Sequence, residues 1–394
     1  MNSQAVLFTS ESVTPGHPDR LCDTMSDAIV DQFLIQDPGS RIVAECALSK
    51  GVVFIAARFA SDATIDIPEV ARTTIHQIGY DTADFDAEEC TVITSLINLP
   101  IEERGAIEIE LNEDQLDRIA ARNQVTLFGF ACNQTTELMP LPITLARQLS
   151  NRLYAAKQEG HMSYLSPDGT VQVGVELMEN TPFRIHSLAL TVGYEAGRAV
   201  ESARLEEDVR AQVIEPAFSE ATLKPDSKTR ILINSQFVRS GPAAHSGMTG
   251  RKTASDTYGA YGRHSGSALS GKDPLRIDRT GAYAARYVAK NVVASELADT
   301  CEVQLSYALG EARPVSIQVE TFGTGKMPDE EITRRINRIF DLRVGAIVRD
   351  FDLRHLPTQH PAGFYRRLPR AGHFGASFTD LPWERTDRVE ALRE

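Results

Sequence analysis

Two runs of this chain carry side chains whose types and spacing suit the capture of a polyphosphate together with a divalent metal. Near the N-terminus, Gly16-His17-Pro18-Asp19-Arg20 sets an imidazole and a carboxylate on a tight turn. Far along the chain, Gly250-Arg251-Lys252, Ser270-Gly271-Lys272-Asp273-Pro274, Arg276 and Asp278 add cations and a second carboxylate. A triphosphate in water is strongly solvated, so a site must replace that solvation with fixed donors and metal ions. Arginine offers planar paired donors to phosphate oxygens, and lysine a compact point charge. Magnesium takes oxygen ligands, commonly one or two carboxylates plus phosphate oxygens. Arg251, Lys252, Lys272, Arg276, Asp19 and Asp278 are the residue types such a site needs. A near match to a P-loop, Gly266 to Asp273, is rejected. It ends in Asp where a hydroxyl is required, and the polar loop Tyr261 to Ser265 precedes it instead of a strand.

The chain that must position these groups has 394 residues, which predicts two or three domains. Apolar and charged fractions are ordinary for a globular protein, and no apolar run approaches membrane-spanning length. The N-terminus lacks a basic region and a long apolar core, so a cytoplasmic protein is expected. Five scattered cysteines without a Cys-x-x-Cys pair predict reduced, mostly buried thiols, neither a disulfide framework nor a zinc site. A net charge of −13 argues against nucleic acid. Residues 251–290 nevertheless hold eight Lys/Arg against three acids, a basic island suited to a compact anion such as a nucleotide. Within it, the i, i+4 pair Arg286 and Lys290 reads equally as a solvated helix face or as part of a site.

Helix and strand signals alternate throughout. Helices are predicted near 22–35, 67–78, 142–157, 205–213, 283–298 and 329–341, and strands near 41–46, 52–59, 90–96, 127–132, 171–177, 187–192, 229–234, 301–309 and 315–322. Mixed units of this kind predict an α+β fold of α/β layers. Four stretches are delimited: 1–101 with the Gly-His-Pro-Asp turn, a polar gate or lid segment 102–126, a central unit 127–228, and 229–394 with the phosphate-binding loops.

Taken together, the two runs resemble the S-adenosylmethionine synthases. Asp256-Thr-Tyr-Gly, Ala284 to Asn291, Gly372-His-Phe-Gly375 and Pro382-Trp-Glu384 extend the likeness over nearly the whole chain. The resemblance implies three similar subdomains around a pseudo-threefold axis. It also implies attack of methionine sulfur on C5′ of ATP, with release of triphosphate that is then cleaved to pyrophosphate and phosphate. By the same resemblance, His17 sits beside the leaving triphosphate, and Arg251 and Lys272 share in catalysis with it. Arg251, Lys252, Lys272 and Arg276 hold phosphates, Asp168 belongs to the ATP site, and Phe237 stacks on adenine. Asp19 and Asp278 bind two magnesium ions, and Glu45 a potassium ion. A homodimer or homotetramer with shared active sites is implied, with a small-molecule nucleophile and neither nucleic acid nor membrane as partner.

Departures from the family pattern gather at the nucleophile side. Arg58 stands for a glutamate that faces the methionine ammonium, and Leu99 for a glutamine that faces its carboxylate. Asn123 replaces an aspartate at the end of a gate that normally reads Gly-Ala-Gly-Asp-Gln-Gly; here it is Ala120 to Val125, and Glu113 to Ala121 favours a helix. Thr170 replaces a lysine and His245 an aspartate, whereas Arg20 and Arg276 replace lysines and keep the charge. The nucleophile is expected to be methionine or, given these changes, a different small molecule. A non-catalytic regulatory paralogue and a hydrolase of the ATP triphosphate are the alternatives.

Overall fold

The computed structural model describes residues 5–82, 85–104, 112–234, 240–360, 362–375 and 381–394. The fold is α+β: three principal sheets, each backed by one long helix. In the first sheet the order is Val6–Val13, Leu165–Met178, Thr181–Tyr194, Arg230–Ile233. The second runs Gly247–Met248, Arg41–Ser49, Val52–Ala60, Thr91–Asn98, and the third Ser316–Glu320, Thr300–Tyr307, Val125–Cys132. The long helices are α1 (Pro18–Gln36), α2 (Leu141–Gln158) and α3 (Ile277–Ala294). Helix α1 packs on the second sheet, α2 on the first and α3 on the third.

Strand alternation accounts for this layering. Along Arg41–Ser49 the residues Ile42, Ala44, Cys46 and Leu48 are buried, while their neighbours lie on the opposite, more open face. The sheets mix distant segments: Val6–Val13 pairs with Leu165–Met178, and Val125–Cys132 with Thr300–Tyr307. One continuous core joins α1, α3 and the second and third sheets, and another lies between α2 and the first sheet. All five cysteines are buried and unbridged, as expected for structural thiols.

Two expectations need correction. The helix expected over 283–298 spans Ile277–Ala294. It stops there because Ser295 caps it and Glu296 turns into the left-handed region at φ 61°. Its earlier start puts Asp278 in the first turn. Arg286 and Lys290 are neither a solvated face nor part of the phosphate cluster. Arg286 is fully buried, its guanidinium bonds Glu384 through Nε (3.0 Å) and Nη2 (2.9 Å), and Lys290 Nζ donates to the same carboxylate at 2.7 Å. The pair fastens the C-terminal segment to α3.

Candidate active site

Helix α1 is the rail on which the site is assembled. Pro18 occupies its first turn, where a missing N–H costs nothing, and His17 caps it by accepting from Asp19 N–H through Nδ1 at 3.2 Å. Asp19, Asp23, Asp27 and Asp31 recur every fourth residue, so they share one face, and all are buried. Each accepts backbone N–H groups from the second half of the chain. Asp19 accepts from Met248 (3.0 Å), Asp23 from Gly250 (2.7 Å), Asp27 from Gly271 (2.8 Å), and Asp31 from Tyr365 (2.9 Å) and Arg366 (3.0 Å). The loops carrying Lys252 and Lys272 are therefore anchored one helical turn apart, ~6 Å along α1. Arg20 pairs with Asp23 and Asp256, and Arg279 with Asp27, which compensates the buried charge. The sequence reading missed this ladder, although the strict four-residue spacing of aspartates was its signal.

Two glycines make the close approaches possible. A Cβ on Gly16 would lie 2.4 Å from Pro167, so only glycine lets the His17 turn meet the segment bearing Asp168. Gly271 has φ +75°, and its Cβ would sit 2.1 Å from the Ala44 carbonyl, just where Lys272 bridges to Val43.

The first cluster surrounds Asp19. Lys252 Nζ donates to Asp19 Oδ2 at 2.5 Å, and Arg251 Nη1 lies 3.6 Å from Oδ1. Burial alone would raise the Asp19 carboxyl; the Lys252 ammonium and the Met248 N–H outweigh it and hold the group below the usual carboxylate range. His17 and His245 rings stand 5.0 Å apart, and His245 Nε2 lies 3.0 Å from Asp168 Oδ2. Asp168 also accepts from Gly241 N–H at 2.7 Å. Burial lowers His17 to about 4, whereas the hydrogen bond to Asp168 raises His245. Beside Arg251 and Lys252 opens a cavity of about 430 Å³, walled by Thr9 to Val13, Gln172, Ala254, Ser255, Gly259 and Ala260.

The second cluster lies at the N-terminus of α3. Lys272 Nζ is 3.6 Å from Asp278 Oδ1, and Asn123 Nδ2 donates to the same oxygen at 2.9 Å. Burial lowers Lys272; burial works against the Asp278 charge, yet Lys272 and the Asn123 amide keep that carboxyl below its usual range. Arg276 caps α3, half-buried, with its Nε in no hydrogen bond among the described residues. Eight cations form the basic island in sequence, but the fold divides them. Arg263 pairs with Glu302 and Glu320, and Arg279, Arg286 and Lys290 are tied up internally, leaving Arg251 and Lys252 beside Asp19, Lys272 beside Asp278, and Arg276 at the start of α3.

The remaining sequence-predicted residues lie around these clusters. Arg58 and Glu45 are exposed on the open face of the second sheet. Arg58 pairs across from Val43, which bridges in turn to Lys272, so two strand spacings, ~10 Å, separate the Arg58 and Lys272 backbones. Leu99 is half-buried, its N–H on Phe59 O at 2.7 Å. Thr170, half-buried, follows Asp168 on the same strand. Phe237 lies outside the described residues, as do residues 105–111 of the gate segment. The helix expected over 113–121 occupies Glu113–Arg118, with a reciprocal cap between Asn112 and Gln115. Leu116 buries this short helix against the body, and Arg343 pairs with its Glu113 and Asp117. The P-loop reading stays rejected: Gly266 to Lys272 runs as a loop onto Asp27, and no strand leads into it.

Cations set against the Asp19 and Asp278 carboxylates, with a cavity beside the first of them, stand together on an α+β scaffold. Three segments match the S-adenosylmethionine synthetase domains: residues 5–99 the N-terminal domain, 118–237 the central domain and 239–385 the C-terminal domain. The chain is 47% identical to an S-adenosylmethionine synthase of Synechococcus sp. (strain JA-2-3B'a(2-13)), over 98% of this chain and 97% of that protein. It is 46% identical to the one of Gloeobacter violaceus over 98% and 97%, and 45% identical to that of Trichormus variabilis over 100% and 97%. The chain belongs to the S-adenosylmethionine synthetase family and is an enzyme of that type.

Proposed function

We propose that this protein transfers the adenosyl group of ATP to a small nucleophile, with loss of the whole triphosphate. The nucleophile's lone pair forms a bond to C5′ as the C5′–O bond breaks, and the electron pair leaves with the triphosphate, which water then splits into pyrophosphate and phosphate. The observation that carries the reading is that Arg251 and Lys252 meet Asp19 and that Lys272 meets Asp278, on loops anchored to successive turns of α1, with Arg276 at the start of α3. Lysine and arginine fix the phosphate tail and take up the charge that develops on the leaving oxygen. His17 lies beside Asp19, and its ring N–H donates to that tail.

Asp19 and Asp278 fit magnesium: both are hard oxygen donors held ionised by neighbouring cations. Magnesium, when bound, offsets the phosphate charge. Glu45 is a single exposed carboxylate, so it suits a potassium ion only with donors from a second subunit. Its surroundings favour such a partner. Val52, Phe54, Ile93, Ile97 and Met248 are 42–54% exposed on the second sheet and its edge, an apolar surface suited to a second copy of the chain. We assign the protein to a homo-oligomer whose sites are completed across this face.

A second reading concerns the acceptor. The relatives are named for S-adenosylmethionine, which makes methionine the reference acceptor. Arg58, Leu99 and Asn123 present a cation, an alkyl group and an amide where the family pattern has charged or polar contacts to methionine, and they favour an acceptor bearing an anion toward Arg58. Mass spectrometry of products from ATP, magnesium and potassium, with and without methionine, decides. S-adenosylmethionine supports the family reaction, and triphosphate loss that yields adenosine instead, through attack of water, shows C5′ open to attack with methionine not the acceptor. Absence of any ATP chemistry contradicts both and favours a regulatory paralogue.

A further inference from the structure

Beside the Asp19 carboxylate, His17, Asp168 and His245 form a group with a different chemistry. One potential ligand atom from each lies within 4.8 Å of the other two. We propose that these three side chains bind a borderline divalent cation of the zinc or cobalt type, a site separate from the oxygen-lined magnesium positions. Two imidazoles and one carboxylate suit such metals, whereas magnesium prefers all-oxygen surroundings.

The distances fit. Metal–ligand bonds of ~2.1 Å at right angles set neighbouring ligand atoms ~3.0 Å apart. His245 Nε2 and Asp168 Oδ2 are 3.0 Å apart. Tetrahedral ligation at the same bond length sets ligand atoms ~3.4 Å apart, so the pairs that stand up to 4.8 Å apart close by at most ~1.4 Å through side-chain rotation. The frame is firm where it needs to be. Asp168 is buried and held by Gly241 N–H at 2.7 Å, the kind of outer hydrogen bond that orients metal-binding carboxylates. Thr14 Oγ1 donates to Pro167 O at 2.6 Å, which ties the His17 turn to the Asp168 segment, and the Tyr80 hydroxyl braces that turn by donating to Gly16 O at 2.5 Å. The His245 side chain is 42% exposed, so the cation is reached from the cleft and keeps open positions for an anionic oxygen of a ligand.

This site depends on neither the acceptor nor the reaction, and cobalt alone reads it. The full-length protein, stripped of metals, is titrated with cobalt chloride in a large excess of magnesium. Expected is about one cobalt per chain by equilibrium dialysis, with visible absorption of nitrogen-ligated metal. His245→Gln, a change at a half-exposed side chain, should weaken that binding more than ~10-fold and erase the absorption, with circular dichroism unchanged. Cobalt displaced by magnesium, or an absorption that survives His245→Gln, overturns the proposal and leaves His245–Asp168 a hydrogen-bonded pair only.

Discussion

Replacing Lys272 by methionine tests the phosphate cluster most sharply, because the side chain keeps its length and loses only its charge. Its backbone is pinned at Val43 and Gly271, so the loop should survive the change. The ammonium stands 3.6 Å from Asp278 Oδ1, and both groups are largely buried. A unit charge at that range contributes ~4–5 kcal/mol at an effective dielectric of ~20. A phosphate oxygen held at similar range feels the same field. Allowing about half for the desolvation of both partners leaves ~2–3 kcal/mol, a fall in kcat of about 30- to 150-fold. The assay is initial pyrophosphate and phosphate release at saturating ATP and magnesium, with Lys272→Arg as the charge-keeping control. A kcat for Lys272→Met within about threefold of wild type would show that Lys272 does not face the developing charge.

Other consequences follow from the same geometry. Arg58→Glu combined with Leu99→Gln restores the family pattern of contacts and should raise methionine affinity at least ~10-fold by calorimetry, given ~4 kcal/mol per charge contact before desolvation; no gain would refute the role given to these positions. Gly271→Ala forces a Cβ against the Ala44 carbonyl at positive φ, so it should cost at least ~2 kcal/mol in urea unfolding and weaken ATP binding as Lys272 moves. Glu384→Gln strips a buried carboxylate from Arg286 and Lys290 and should destabilise by ~3–5 kcal/mol at neutral pH. Burial works against that carboxylate, but the two cations hold it below its usual range. Its contribution is therefore complete above the unfolded carboxyl value and is lost as pH falls through the lower folded one, so the gap between variant and wild type should close in acid. A gap that stays constant down to the acid limit would contradict the assignment.

How much the sequence disclosed depended on the range of the interaction. Helix 67–78 and the hairpin strands near 41–46 and 52–59 were legible because their apolar spacing is local. The pairing of Val125–Cys132 with Thr300–Tyr307 was not, since no local pattern names a partner so far along the chain. The phosphate residues were legible as types, and their fates were not. Arg251 and Arg279 look alike in sequence, yet one stands exposed beside Asp19 and the other is buried against Asp27. His245 was read only as a missing aspartate; that it would meet Asp168 and His17 depended on Gly16 packing against Pro167.

The most direct test of adenosyl transfer follows the bridging oxygen of ATP. ATP carrying heavy oxygen at the 5′ bridging position is turned over by the wild-type protein with magnesium, and the phosphate-containing products are analysed by mass spectrometry. Attack at C5′ predicts that the label leaves with the released pyrophosphate or phosphate, whatever the nucleophile. Label that stays with adenosine phosphates would mean attack at phosphorus, and would contradict the account.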